Sequence, residues 1–393
     1  MVVLTNDKHG VLRRVHFSLI AAVFLIFGLA ISASLAVVPA MGDDYDRDMV
    51  YPVYNPKPKG IPPVPIPDDN PQTPMKVKLG ERLYFDPKLS VDGTISCASC
   101  HHPSLGFADG QMTSDGVNAQ VGGRNAPTVY NSAYYATQFW DGRAMTLEDQ
   151  ARGPVMNPIE MANTWENVVA YLKTDTTYQR MFRQVFGGSI TEDNAVKAIA
   201  SYERTVVTWD SDYDRFIAGD TSAMTMDEVA GMDLFFGKAE CANCHKAPLF
   251  FEDAFGNIGV PQVKDMDHFA NDGEDVSLAG LDLGRYYVTH NADDLGDFKT
   301  PGLRNIELTA PYMHNGIFAT LEDVIAHYNS VPMTPVGELD EDLPTDLDMT
   351  EEEQMQLVAF LKALTGRTYS YMPDDMKDMH VSMLSEVLSR TSE

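Results

Sequence analysis

The sequence predicts a mainly α-helical fold built as two similar halves in tandem, and three observations predict it. Alternating apolar and polar runs are scarce, whereas apolar residues recur at helical spacing, as at Leu357, Phe360, Leu361 and Leu364. The chain's four cysteines fall in two copies of one motif, Cys97-Ala98-Ser99-Cys100-His101 and Cys241-Ala242-Asn243-Cys244-His245. The flanks of the copies also correspond. Gly80, Leu83, Tyr84 and Phe85 precede the first, and Gly231, Leu234, Phe235 and Phe236 precede the second. Phe107 and Asp109 follow His101 by six and eight residues, as Phe251 and Asp253 follow His245. A unit repeated in this way reads as a duplication.

Two thiols followed at once by an imidazole form the attachment signature of a c-type haem. The thiols add across the porphyrin vinyl groups, and the imidazole takes one axial face of the iron. A redox dithiol explains one Cys-x-x-Cys but not a histidine after both pairs, and a four-cysteine zinc site leaves both histidines idle. The expectation is two covalently bound c-type haems in two cytochrome-c-like domains in tandem. Cys97, Cys100 and His101 hold the first; Cys241, Cys244 and His245 hold the second.

Taken from the N-terminus, Lys8, Arg13 and Arg14 precede an uncharged, mostly apolar run over 17–38, the pattern of an export signal. Ser34-Leu35-Ala36 and Val38-Pro39-Ala40 offer small residues for cleavage. The run is also long enough to span a bilayer, so residues 1–40 are expected to be a signal peptide or an N-terminal membrane anchor. Either outcome puts the body outside the cytoplasmic membrane, in the periplasm, where bacteria attach c-type haem. Residues 41–74 are rich in proline, from Pro52 to Pro67, and read as an extended linker.

The folded body is expected to begin near Met75, with the first haem domain over 75–224 and the second over 225–366. Thr191 to Val207 sets Val196, Ile199, Ala200 and Val206 on one helical face. Thr225 with Glu228 and Thr350 with Glu353 are capping boxes that open further helices. The last patterned helix is expected to stop at Gly366. The tail over 367–393 is polar and rich in methionine. A formal charge of −28 makes nucleic acid a poor partner and a basic protein a suitable one, although solubility in a salty or acidic habitat accounts for it equally.

Two haems alone make an electron carrier. An enzyme needs one iron with an open face and polar groups beside it. The stretch Phe139-Trp140-Asp141-Gly142-Arg143, with Gln150, Pro154 and Asn157-Pro158-Ile159-Glu160, is where such groups lie. A carboxylate there would carry a proton between the two oxygens of a peroxide. By pattern alone these are also ordinary loop residues.

With these motifs the chain resembles the bacterial di-haem cytochrome c peroxidase family, and within it the MauG-type branch. The resemblance runs from about Leu79 to Gly366. Besides the haem motifs, the Trp140 stretch and Glu160, it rests on Arg124-Asn125-Ala126-Pro127-Thr128 and Lys299-Thr300-Pro301-Gly302-Leu303-Arg304-Asn305. It continues through Leu308-Thr309-Ala310-Pro311-Tyr312-Met313-His314-Asn315-Gly316. It implies that His101 ligates the peroxidatic haem, which meets hydrogen peroxide, and His245 the electron-transfer haem. It implies that Trp140 stands between the haems and that Glu160 is the distal acid; Gln150 and Pro154 are catalytic candidates from the same stretch. Asn125 with the carbonyls of Thr309 and Pro311 matches a calcium site, and an oxygen-only set suits a hard cation. His314 belongs to the same motif, in packing or in a propionate hydrogen bond.

Two features separate this chain from many such peroxidases. Between His102 and Trp140 there is no histidine to cap the first iron, so that iron is expected to be open. On a helix capped by Thr320, Tyr328 stands where the peroxidases place an axial methionine and the MauG type a tyrosine. Leu321, Val324, Ile325 and Tyr328 share one helical face, and His327 points roughly 100° away. The alternative is a packed Tyr328 with His327 or Met313 as the iron ligand. The surface tryptophan of the MauG type is replaced here by Ala239.

These features imply a peroxidase that draws electrons through its second haem. The donor would be a small cytochrome or copper protein, or, slightly favoured, aromatic side chains of a protein substrate. The rival is a non-enzymatic di-haem electron-transfer cytochrome.

Overall fold

Threonine side chains open most of the long helices. Thr73, Thr146, Thr164, Thr191, Thr225, Thr320 and Thr350 each accept a hydrogen bond from a backbone N–H two or three residues into the helix that follows, satisfying donors that a helix start leaves without partners. At Thr225 and Thr350 the reciprocal bonds to Glu228 and Glu353 complete the expected capping boxes. The computed structural model describes residues 60–262, 280–333 and 336–369. The expected export signal, the first part of the linker and most of the tail lie outside the described residues.

In chain order the helices are α1 (Pro74–Tyr84), α2 (Cys97–Cys100), α3 (Leu147–Met156), α4 (Trp165–Thr174), α5 (Thr176–Phe186), α6 (Glu192–Glu203), α7 (Asp212–Ile217), α8 (Met226–Phe236), α9 (Tyr286–Thr289), α10 (Leu321–Asn329) and α11 (Glu351–Ala363). The fold is mainly helical. Among the described residues its strands form two short antiparallel pairs, β1 (Val207–Trp209) with β4 (Arg367–Tyr369) and β2 (Phe255–Gly256) with β3 (Phe298–Lys299).

Two large apolar cores form among the described residues. The first gathers Val77, Leu83, Tyr84, Phe182, Ile199 and Tyr202 from α1, α5 and α6. The second gathers Phe235, Phe250, Ile325, Leu357, Phe360 and Leu361 from α8, α10, α11 and the loop after the second motif. Burying one such side chain contributes about 1.5–3 kcal/mol. The corresponding glycines do the same work in each core. A Cβ on Gly80 would overlap the Ala198 carbonyl of α6, and one on Gly231 would overlap the Gln356 carbonyl of α11. Each glycine lets two helix backbones touch, α1 on α6 and α8 on α11.

The pattern expected over 191–207 runs longer than its helix. Helix α6 ends at Glu203, and Val207 leaves it for β1, paired with Tyr369. The partner strand comes from the start of the tail, where Gly366 passes so close to the Trp209 carbonyl that a side chain would collide with it. Helix α11 accordingly stops at Ala363, and the Gly366 N–H donates to Asn305 Oδ1 at 2.8 Å. The described end of the expected linker lies on the body. Ile61 packs with Val207 and Trp209, and buried Asn70 donates to Glu148 Oε1 at 2.6 Å.

Candidate functional site

The first motif folds as one turn, α2, opened by Ser96 and followed by His101. The imidazole Nδ1 of His101 lies 3.3 Å from the Phe107 carbonyl. Burial pulls its pKa down and keeps the ring neutral, the form that ligates a metal. The Tyr84 hydroxyl donates to the His101 carbonyl at 2.9 Å, so the first core holds the turn directly.

The second motif repeats this arrangement one residue shorter. His245 Nδ1 lies 3.3 Å from the Phe250 carbonyl and 3.1 Å from the Pro301 carbonyl, and burial lowers its pKa to about 4. Phe250, not Phe251, therefore corresponds to Phe107. Both take left-handed backbone, φ 55° at Phe107 and 59° at Phe250, and both rings are fully buried. Phe251 instead packs on Tyr135, ring centroids 4.2 Å apart.

A cavity of about 260 Å³ opens beside the second motif. Cys241, Cys244, His245 and Tyr328 all line it, together with Trp140, Asn125, Thr309, Pro311, Met313, His314 and Lys299. Tyr328 thus faces the expected side, and burial pushes its phenol well above the usual value. His327 points elsewhere, with Nε2 2.8 Å from the Ile258 carbonyl. Met313 lines the cavity with Tyr328, so the geometry leaves two candidate ligands there.

Trp140 is anchored from both halves. Its indole donates to the Asn125 carbonyl at 2.9 Å, and its own carbonyl accepts from the Lys299 N–H at 2.7 Å. The loop carrying it is held by Arg124, which donates to both carboxylate oxygens of Asp282 at 2.7 and 2.8 Å and to Asp141 at 2.6 Å. Removing one partner from such a buried pair costs about 3–5 kcal/mol.

Glu160 lies on the turn after α3. Its Oε1 accepts from Asn157 Nδ2 at 2.7 Å, and its backbone carbonyl from Val117 N–H at 2.9 Å. Burial raises its pKa, against the pull of Arg143 and the Asn157 bond. The Val117 bond, and a Gly116 so close to the Ile159 carbonyl that a side chain would collide with it, set Glu160 against the loop that follows the first motif. Gln150 and Pro154 lie one turn apart on α3, where the proline has no N–H to give the Gln150 carbonyl. Glu148, paired through both oxygens with Arg204 at 2.8 and 2.9 Å, clamps α3 to α6. Phe139 bridges the stretch: its ring lies near Gly153 of α3, and the Arg143 guanidinium sits 3.5 Å from its centroid.

These residues fit two covalent haems. All four thiols are free of disulfides, each histidine is steered by a carbonyl on Nδ1 so that Nε2 is the ring atom left for iron, and His314 Nε2, lining the cavity, is a buried polar atom with no described partner. Asn125, Thr309 and Pro311 all line the same cavity. Clusters of three or more His, Cys, Asp or Glu are absent among the described residues, so a cation here would rest on neutral oxygens. No described helix is long and apolar enough to cross a membrane. Residues 17–38 lie outside that search.

Neither Lys299 nor Tyr135 carries a role that the sequence alone assigns. They meet only in the fold, Lys299 Nζ 3.3 Å from the Tyr135 ring centroid, although both halves of that contact sit within or beside motifs.

A family model described as di-haem cytochrome c peroxidase matches residues 74–222. Over 369 residues the chain is 37% identical to a cytochrome-c peroxidase of Denitromonas iodatirespirans, covering 90% of this chain and 96% of that one. It is 39% identical over 308 residues to the methylamine utilization protein MauG of Methylorubrum extorquens, covering 77% and 81%. Among solved structures, a MauG-like protein associated with microbial copper homeostasis matches with TM-score 0.69 and 34% identity, covering 81% of this chain and 97% of that one.

Proposed function

The chain belongs to the di-haem cytochrome c peroxidase family of haem-dependent oxidoreductases, and on that premise we propose that it reduces hydrogen peroxide beside His101 with electrons drawn past Trp140 from the side of His245. The observation that carries this reading is the asymmetry of the two halves. A half-buried carboxyl, Glu160, stands against the loop that follows the first motif, whereas a phenol, Tyr328, faces the second. Each haem, when bound, supplies a one-electron couple, and the first an open iron for peroxide.

The protein's own work is then positioning and proton transfer. Asn157 holds the Glu160 carboxyl by its Oε1, leaving Oε2 to take the proton from the nearer peroxide oxygen and return it to the departing one. Gln150 and Pro154 shape that pocket from α3, and the Glu148–Arg204 pair fixes the helix that carries them. Trp140, tied to Asn125 and Lys299, holds the two halves in register.

The final electron source we favour is aromatic side chains of a partner protein rather than a small cytochrome or copper protein. What supports this is the absence of any histidine between His102 and Trp140 and the place of Tyr328 in the second cavity. The protein would work in the periplasm. Replacing Cys97 and Cys100 with alanine is expected to remove one haem and the peroxide reaction together, read by haem content and peroxide consumption. Full turnover in that variant would mean that peroxide reacts elsewhere.

We further propose calcium on Asn125, Thr309 and Pro311, fixing the inter-haem geometry. Chelation is expected to lower peroxide turnover severalfold and to change the haem spectra, and added calcium to restore both. Unchanged turnover in metal-free protein would reduce the site to a structural turn.

A further inference from the structure

Lys299 sits on β3, opposite Phe255 of β2, and its side chain lines the cavity of the second motif. Among the described residues no carboxylate reaches ion-pair distance of its ammonium. Asp253, whose charge it feels, is engaged by the Ala136 N–H at 2.8 Å. What the ammonium touches is a ring face: Nζ lies 3.3 Å from the Tyr135 centroid, and the Tyr135 hydroxyl is itself used, accepting from the Gly302 N–H at 2.5 Å. A ring face offsets only part of the hydration that a lysine loses on burial. Burial accordingly pulls this ammonium down to about 7, with Asp253 pulling the other way.

A cation at a cavity wall without an anion is an incomplete pair. The missing partner must be negatively charged, must come from within the cavity, and must be present whenever the protein is functional. A haem brings two carboxylates on flexible propionate arms, and the cavity that Lys299 lines is the one with Cys241, Cys244 and His245 on its wall. We infer that Lys299 forms an ion pair with a propionate of the second haem and so holds a positive charge beside that iron. The first half sets Glu160 against the loop after its motif instead. The cation favours the reduced state of the second haem, and its backbone N–H on the Trp140 carbonyl ties the pair to the residue between the two sites.

The inference rests on the proposed function, because it needs a haem in that cavity. The test uses the holoprotein and its Lys299→Met and Lys299→Arg variants. Haem content is counted first, and two per chain secures the underlying reading independently of Lys299. Resonance Raman spectra in the band of the low-spin haem then report its propionate bending mode, and a redox titration reports its potential.

In Lys299→Met the mode is expected to move to lower frequency. The reduction equilibrium of that haem is expected to fall about tenfold, or about 59 mV for one electron. Lys299→Arg, which keeps the charge, is expected to hold both near the native values. If Lys299→Met carries two haems with an unchanged mode and potential, the pair does not exist and Lys299 is only a neighbour of Tyr135. Fewer than two haems in the native protein would instead overturn the proposed function itself.

Discussion

Glu160→Gln is expected to slow peroxide consumption by roughly 10²–10⁴-fold, the worth of a positioned proton shuttle, while leaving both haem spectra nearly unchanged. The substitution keeps the volume and the hydrogen bond at the position that accepts from Asn157, and removes only the ability to take up and release a proton. Burial raises the Glu160 pKa, while Arg143 and Asn157 hold it back. The sign of the pH dependence follows. The base form must receive the peroxide proton, so turnover should rise with pH through the carboxyl's folded-state pKa. Because that pKa is raised, the rise falls at higher pH than for an ordinary exposed glutamate. In Glu160→Gln the limb should vanish together with the rate. A loss smaller than threefold, or a surviving limb, would remove Glu160 from the proton path.

The second large effect is expected at Tyr328. A phenol whose pKa is strongly raised by burial stays protonated unless a cation takes the oxygen, and the iron of a haem held by Cys241, Cys244 and His245 would be that cation. Phenolate is a hard anion that favours the ferric state, whereas a thioether favours the ferrous state. Replacing Tyr328 with methionine should therefore raise the potential of one haem only. The shift is expected to be on the order of 0.1 V, within the ~0.8 V range that axial ligands span. A sulfur-to-iron band should appear in the oxidised spectrum. His327 cannot stand in without breaking its bond to the Ile258 carbonyl, but Met313 lines the same cavity. If Tyr328→Phe leaves the low-spin spectrum and potential untouched, Met313 is the better candidate, and the tilt toward oxidation of a protein substrate loses its main support.

How far the sequence reveals this molecule depends on how locally each feature is encoded. Haem attachment is compressed into five contiguous residues, so both sites can be read directly. The glycines at 80 and 231 are legible as a repeat, and the fold supplies the reason, two helix backbones in contact at each. The correspondence of Phe107 with Phe250 rather than Phe251 is not legible. It depends on left-handed backbone at both residues and on a loop one residue shorter in the second half, while two adjacent phenylalanines fit either alignment. Strands of two or three residues, such as β1 and β3, are too short to show alternation. Glu160 and Trp140 stand out only through resemblance, because their loops carry no periodicity. Lys299 is harder still, since its missing counter-charge is a property of what surrounds it in three dimensions.

We propose two halves built alike but equipped differently, one for peroxide and one for electrons. The spin states of the two irons in the oxidised protein test this most directly, read by electron paramagnetic resonance before and after addition of hydrogen peroxide. One high-spin haem with an open face and one low-spin haem are expected, the first responding to peroxide at once and without prior reduction. Two low-spin haems that ignore peroxide would contradict the proposal and identify the protein as an electron carrier.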